Sequence, residues 1–288
     1  MKKAGIVALI GRPNAGKSTL LNALIGRKVS ITSPKPQTTR FTLQAVYEDD
    51  RGQIIFYDTP GIFEKVEDPL SARINLTAEK ALKQHMDDVV YVIDHTRQRD
   101  IEENKILGLV RKVDMPKILV INKTDVRKPS FIEQYAFLED EFETIIKVSA
   151  LKRKNLNLLL NAIFDILPTG ELPIDTKQLV QPALNIDSKT FIAEIIREKV
   201  YLQTREEIPY RTTVVVDDIQ ERPTGMLYIK ARILTTADRY RKMLIGFGGR
   251  KIKEMGMYAR KELEVATNKK VYLDLTVESD PHWMERLI

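Results

Sequence analysis

Gly11-Arg12-Pro13-Asn14-Ala15-Gly16-Lys17-Ser18 follows the apolar run Ile6-Val7-Ala8-Leu9-Ile10 and leads into Thr19-Leu20-Leu21-Asn22-Ala23-Leu24-Ile25. The octapeptide fits G-x-x-x-x-G-K-[ST], and its context is a strand entering a helix. Successive backbone N–H groups in such a loop point inward and form a nest for anionic oxygens. The helix that follows turns its positive end toward the same point. Lys17 can then reach the β- and γ-phosphates, and the Ser18 hydroxyl can ligate Mg²⁺. Residues Gly11 to Thr19 are thus expected to cradle a nucleoside triphosphate.

Outward from this loop, short β-rich runs alternate with amphipathic stretches. Strands are expected at 5–10, 42–48, 53–58, 88–94, 117–122 and 145–148, and helices at 17–26, 70–85, 101–113, 130–142 and 155–166. The alternation predicts an α/β, doubly wound P-loop domain over 1–167. The pair 42–48 and 53–58 reads as a hairpin, which makes one edge antiparallel and the sheet mixed. Pro168, Gly170, Pro173 and Pro182 punctuate a stretch without periodicity, expected as a linker over 168–182. From 183 to 288 the pattern is helix (188–202), strands (211–219, 226–235), helices (238–245, 250–267) and strand (271–277), a smaller α+β domain.

Composition narrows the function classes. The 288 residues include no cysteine, which excludes disulfides, thiol nucleophiles and thiolate metal sites. His85, His95 and His282 are scattered without metal-ligand spacing. The start, Met1 to Ile10, superficially resembles a secretory signal, but cleavage there would destroy the phosphate loop. No apolar run approaches about 18 residues, so a cytoplasmic protein is expected. Window 237–270 carries ten Lys/Arg against four acids, which equals the +6 formal charge of the whole chain. Such a local basic surface suggests a polyanion partner.

Strand ends carry the motifs that choose the nucleotide. Asn122-Lys123-Thr124-Asp125 closes the run Lys117–Ile121 and fits N-K-x-D. Asp125 can accept from guanine N1–H and the 2-amino group, two donors that adenine lacks. Lys123 can lie along the base and Asn122 can brace the loop. Ser149-Ala150-Leu151 follows Ile145–Val148, with the Ala150 N–H expected at the guanine oxygen. Asp58-Thr59-Pro60-Gly61 follows Ile54–Tyr57; Asp58 suits the Mg²⁺ side, and the Gly61 N–H can approach the γ-phosphate. In Gln37-Thr38-Thr39-Arg40 one threonine should close onto Mg²⁺ and the γ-phosphate, with Thr39 favoured over Thr38. Asn14, Lys17, Thr39 and Gly61 are the expected catalytic set, and Ser18, Thr39 and Asp58 the expected metal set. Ile62 stands where Ras-like enzymes place a water-orienting glutamine. In related GTPases with hydrophobic replacements, an asparagine in the position of Asn14 helps hold K⁺, so K⁺ is a further expected cofactor.

In the second domain, Leu244-Ile245-Gly246-Phe247-Gly248-Gly249-Arg250-Lys251-Ile252 matches the I-G-x-x-G-x-x-I core of a KH domain. Glycines at the loop ends let a nucleic-acid backbone approach, and the next helix offers its N–H groups, Arg250, Lys251 and Lys253 to phosphates. An apolar groove with Ile245 and Ile252 is expected to hold about four single-stranded bases. Strands before the loop and one strand after it fit the type II KH arrangement.

With these motifs, and with Arg197-Glu-Lys-Val-Tyr-Leu-Gln-Thr-Arg-Glu-Glu-Ile-Pro-Tyr210, the chain resembles the Era GTPases from residue 1 to about 280. The resemblance implies a monomeric bacterial GTPase of ribosome assembly. It also implies binding to the 3′ region of 16S ribosomal RNA in the small subunit, and weak peripheral association with the inner membrane. It departs at the end, where the chain stops shortly after Trp283. Other functions fit the same residues. One is a different ribosome-associated or RNA-modification GTPase, although no second catalytic constellation is present. Another is a membrane or cell-cycle signalling GTPase whose basic helix meets anionic lipid. A third is an RNA-binding module with a vestigial nucleotide site, against which Lys17, Ser18, Asp58 and Asp125 argue.

Overall fold

The apolar runs become the middle of a six-stranded sheet. In the computed structural model, which describes residues 1–35, 38–61, 76, 86–176 and 184–286, β1 (Lys3–Ile10), β2 (Leu43–Asp49), β3 (Gly52–Asp58), β4 (Asp88–Asp94), β5 (Lys117–Asn122) and β6 (Thr144–Lys147) lie in the order β2-β3-β1-β4-β5-β6. Only β2 runs antiparallel, paired with β3 from Leu43↔Asp58 to Asp49↔Gly52, as the hairpin reading requires. The other neighbours are parallel. Strands covered on both faces read as continuous apolar runs rather than alternating ones. Accordingly every residue of β4 is buried.

Helices cover this sheet where the sequence places them. In α1 (Lys17–Ile25), Leu20, Leu21 and Leu24 are buried between Gly16 and Gly26 at its ends. In α2 (Ile101–Arg111), Asp100 caps the start by accepting from the Glu103 N–H at 2.9 Å, and Ile106, Leu107 and Val110 face inward. In α3 (Leu156–Ile166), Leu156, Leu159, Leu160, Ile163 and Phe164 make the buried stripe at i, i+3, i+4, i+7, i+8. The helix expected at 130–142 is instead a 3₁₀ helix at Ile132–Asp140. Its apolar residues Ile132, Tyr135 and Leu138 recur every three positions, which is the period of the tighter helix. Ile62 and, apart from Leu76, the helix expected at 70–85 lie outside the described residues.

By contact density the chain divides into Met1–Thr32 with Thr39–Asn185, and Ser33–Thr38 with Ile186–Ile288. The aperiodic stretch expected as a linker begins against the first unit. Ala4 N–H donates to Pro168 O at 3.0 Å, Gly170 N–H to Lys2 O at 3.0 Å, and Gln53 exchanges hydrogen bonds with the Ile174 backbone. Such attachment uses backbone groups, which leave no hydrophobic period in the sequence.

The second unit packs α4 (Ser188–Gln203), α5 (Asp238–Ile245) and α6 (Arg250–Thr267) against β7 (Thr212–Glu221), β8 (Leu227–Thr235) and β9 (Val271–Ser279). The sheet order is β7-β8-β9, antiparallel then parallel. Its core joins Ile192, Ile195, Ile196 and Val200 of α4 to Ile229, Ala231 and Ile233 of β8 and Met255, Ala259 and Leu263 of α6. The β8-α5-α6-β9 crossover sets the Gly246–Gly249 turn between two helices, the type II KH arrangement. Among the described residues no helix is long and apolar enough to cross a membrane.

Candidate nucleotide site and basic groove

The loop Gly11–Ser18 leaves the carboxyl end of β1, where open α/β sheets bind ligands. Asn14 (φ 65°) and Gly16 (φ 95°) are left-handed, which turns the chain sharply enough to aim successive N–H groups inward. A Cβ at Gly16 would also meet the Asn122 amide nitrogen at 2.4 Å. Ala15 is fully buried and Thr19 half-buried in the first turn of α1. Lys17 is buried and donates to Gly11 O (2.7 Å) and Arg12 O (3.1 Å). Burial brings its ammonium down to about 8, against the opposing pull of Asp58 and Glu103.

The Arg12 side chain faces inward, while its backbone stays in the loop. Its guanidinium is 0% exposed and turns into the protein, so the loop offers ligand only its backbone here. It donates to Gln98 O (2.9 Å), Asp94 O (3.3 Å) and Asp100 Oδ2 (3.0 Å), and pairs with Glu103 Oε2 at 3.1 Å. Glu103 in turn accepts from Tyr91 (2.5 Å) and Tyr135 (3.3 Å). Burial nevertheless pushes the Glu103 carboxyl up. Pro13 O accepts from Arg97 at 3.1 Å, a second tie on the same loop.

Three oxygens meet beside Lys17. Asp58 Oδ2 accepts from Ser18 Oγ at 2.7 Å, and Ser18 Oγ lies 3.1 Å from Thr39 Oγ1. Thr38 Oγ1 instead donates to Lys35 O at 2.7 Å. Ser30, absent from the sequence reading, also donates to Asp58 Oδ2 at 3.0 Å. Ser30 is held by Asn22, whose amide accepts from the Val29 and Ser30 N–H groups. Asp58 Oδ1 is buried with no hydrogen-bond partner, and burial raises this carboxyl despite Lys17, Ser18 and Ser30. Thr59 Oγ1 donates to Leu9 O at 2.8 Å and fastens the following loop to β1. Pro60 and Gly61 are buried; a Cβ at Gly61 would lie 2.6 Å from Pro13 N, so this loop runs against the phosphate loop.

At the other end, Asn122 ties the loops together. Its amide donates to Ala15 O at 2.9 Å and accepts from the Ala150 N–H at 3.1 Å. Lys123 (φ 64°) pairs with Asp94 at 2.6 Å. Asp125 Oδ1 accepts from Ser149 Oγ at 2.5 Å, while Leu151 is exposed. Asp94 is the second residue sequence reasoning missed. It ends β4 in register with Asn122 at the end of β5, and its place after Val89–Ile93 is the signal that would have found it. Lys123 and Thr96 hold its carboxyl below the usual range against burial.

In the second unit, Gly246 (φ 71°), Gly248 (φ 59°) and Gly249 (φ 75°) all take left-handed backbone, so the turn needs glycine at these positions. Phe247 at its tip is 93% exposed. Gly249 caps α6 with no side-chain hydrogen bond. Arg250, Lys251 and Lys253 are exposed in the first turn. A groove of about 690 Å³ runs between α6 and β9, lined by Ile252, Met257, Leu273 and Leu275 with Arg250 and Lys253 beside them. Ile245, expected in the groove, packs against the unit's core instead. Among the described residues no group of three or more His, Asp or Glu side chains could hold a metal ion.

Comparison with known proteins agrees with both halves. A family described as 50S ribosome-binding GTPase matches residues 6–123, and the KH domain family matches residues 207–283. GTPase Era of Halothermothrix orenii is 38% identical over 292 residues, covering 99% of this chain and 95% of that protein. GTPase Era of Thermotoga maritima is 38% identical over 288 residues, covering 99% and 94%. The crystal structure of a point variant of Aquifex aeolicus Era bound to GDP·AlF4⁻ superposes with TM-score 0.90 at 36% identity, covering 99% of this chain and 96% of that one. A crystal structure of Era in complex with MgGDPNP and nucleotides 1506–1542 of 16S ribosomal RNA gives the same TM-score, identity and coverage. Identity of this size along both domains means that the chain belongs to the Era GTPase family.

Proposed function

We propose that this chain is a GTP-hydrolysing switch that binds the 3′ region of 16S ribosomal RNA and acts in assembly of the small ribosomal subunit. The observation that carries the nucleotide half is Asn122. One amide joins the phosphate loop at Ala15 to the Ala150 N–H, so phosphate cradle and guanine pocket are built as one piece. Relatives that carry the same two domains support the RNA half.

In this reading the γ-phosphoryl of GTP passes to water. Loop N–H groups and the Lys17 ammonium lie where negative charge grows on the phosphate oxygens, and Gly61 N–H meets the γ-phosphate. Asp125 accepts the two guanine donors, and Lys123 lies along the base, held by Asp94. Ser18, Thr39 and Asp58 are hard oxygen donors, and the partnerless buried Oδ1 of Asp58 suits a cation, so these residues fit Mg²⁺. When bound, that ion neutralises charge on the β- and γ-oxygens. Asn14, with Ile62 in place of a glutamine, is the residue that would hold K⁺ beside the phosphates. Gly246–Gly249 and the exposed Arg250, Lys251 and Lys253 take the RNA backbone, and the groove takes its bases.

Two measurements test this. Asp125→Asn should lose GTP and accept xanthosine triphosphate, because the amide can donate to the oxygen that replaces the 2-amino group; unchanged GTP preference defeats the guanine assignment. Crosslinking to 16S RNA should differ between GTP-analogue and GDP forms and drop in Gly248→Asp/Gly249→Asp. Equal crosslinking in all samples defeats both the switch and the RNA site. Competition between that RNA and anionic liposomes separates peripheral membrane binding, the other use of the basic surface.

A further inference from the structure

Asp125 stands in a turn whose closing carbonyl is held from outside. The Val126 N–H donates to Lys123 O at 2.9 Å, which puts Thr124 and Asp125 at the two central positions. Lys123 itself takes left-handed backbone (φ 64°), a conformation that a residue with a side chain keeps only where its surroundings fix it.

His95, the first residue after β4, supplies the fixing contact. It is buried, with Nε2 3.1 Å from the same Lys123 O and Nδ1 3.1 Å from Ser130 Oγ. A carbonyl only accepts, so Nε2 carries the hydrogen. In the neutral ring Nδ1 is then the acceptor, and the Ser130 hydroxyl donates to it. Lys123 O thus accepts twice, once from inside the turn and once from His95. The His95 backbone is tied as well, its carbonyl accepting from the Phe131 N–H at 2.7 Å. Asp94, the neighbour of His95, pairs with the Lys123 ammonium at 2.6 Å. Consecutive residues therefore hold one lysine by its side chain and by its backbone.

A buried imidazole needs partners for its nitrogens, and any two polar groups would meet that need. Packing does not account for which carbonyl is used. The bond falls on the acceptor that closes the Asp125 turn, at the left-handed residue of Asn122–Asp125.

We propose that His95 is a positioning residue for guanine recognition: through Lys123 O it fixes the turn that presents Asp125. This rests on the guanine reading above. Ser149 orients the carboxylate and His95 orients the backbone that carries it, so the acid is in place before the base arrives. Ser130 is the second member, since its hydroxyl holds the ring in the required tautomer. A loosened turn weakens the bonds to both guanine donors, but only one bond when the 2-amino group is missing.

The test compares GDP with inosine diphosphate, which lacks that amino group, on the full chain. Wild type should prefer GDP about tenfold or more. His95→Leu, which keeps bulk without a donor, should weaken GDP about tenfold and inosine diphosphate about threefold, narrowing the preference. His95→Gln, whose Nε2 can reach the same carbonyl, should stay within about twofold of wild type for both. GTP turnover in His95→Leu should show the loss in KM, with kcat within about twofold. Ser130→Ala, at an exposed position, should narrow the preference about two- to threefold, and it decides the matter if His95→Leu does not fold. Equal weakening of both nucleotides in His95→Leu, no weakening, or failure of His95→Gln to restore binding would each overturn the proposal and leave His95 as core packing. An unchanged preference in Ser130→Ala would do the same. If wild type itself binds inosine or adenosine diphosphate as tightly as GDP, the guanine reading has failed, a result distinct from loss of the His95 contact alone.

Discussion

Asp88 opens β4 in register with Val7 of β1, and its side chain is 0% exposed, with neither carboxylate oxygen making a side-chain hydrogen bond. Burial, with Asp87 next to it, pushes this carboxyl up to about 7 from 3.8. A carboxyl raised in the folded state keeps its proton there while the unfolded chain has already lost it. Between pH 4 and pH 7 the folded form therefore binds more protons, and stability falls as pH rises through that window. At about 1.4 kcal/mol for each unit of difference, the loss is about 2 kcal/mol by pH 5 and about 4 kcal/mol by pH 8. Asp88→Asn removes the titration and keeps the shape. Its advantage over wild type should therefore grow by about 2–3 kcal/mol from pH 5 to pH 8. A two-unit chain does not melt as one state, so the measurement is hydrogen exchange of β1 and β4 amides, which reads the first unit by itself. A difference between the two proteins that stays flat across this range refutes the reasoning.

The buried Arg12–Glu103 pair gives a cycle. Glu103→Gln should cost about 3 kcal/mol, the low end for a broken buried pair because Asp100 remains at 3.0 Å, whereas Arg12→Met/Glu103→Leu should recover most of it. Exchange in α2 and nucleotide affinity check this, and a double variant no better than the single one counts against it. Thr39→Ala should raise the Mg²⁺ needed for half-maximal hydrolysis about tenfold and Thr38→Ala should not, since only Thr39 reaches Ser18. Magnesium titrations of GTP turnover decide between them. Turnover in K⁺ should exceed that in Na⁺, and Asn14→Asp should abolish the difference; equal rates in both salts end the K⁺ reading.

Much of this was legible because it is local. The phosphate loop, N-K-x-D and G-x-x-G are runs of four to eight residues whose own backbone makes the site, so spacing along the chain carries the geometry. The parallel strands were legible for a related reason: burial on both faces leaves unbroken apolar runs such as Val89–Ile93. Where a segment's period was ambiguous, as at Ile132–Asp140, apolar residues three apart were compatible with either helix, and packing chose the tighter one.

What the sequence by itself determined is the chemistry on offer: a phosphate cradle, a carboxylate for guanine, a turn open to a nucleic-acid backbone. Only the tertiary structure decided who holds these groups. The Arg12 side chain pairs with Glu103 while its backbone stays in the loop; Ser30 and Asp94 belong to no motif yet hold Asp58 and Lys123; Tyr272 meets its stacking partner only in Tyr228. Asn122 and Ala15 are 107 positions apart, and Tyr228 and Tyr272 meet across parallel strands joined by two helices. Such partners are brought together when the sheet closes, by register and burial summed over whole elements, and no short stretch of sequence encodes that sum.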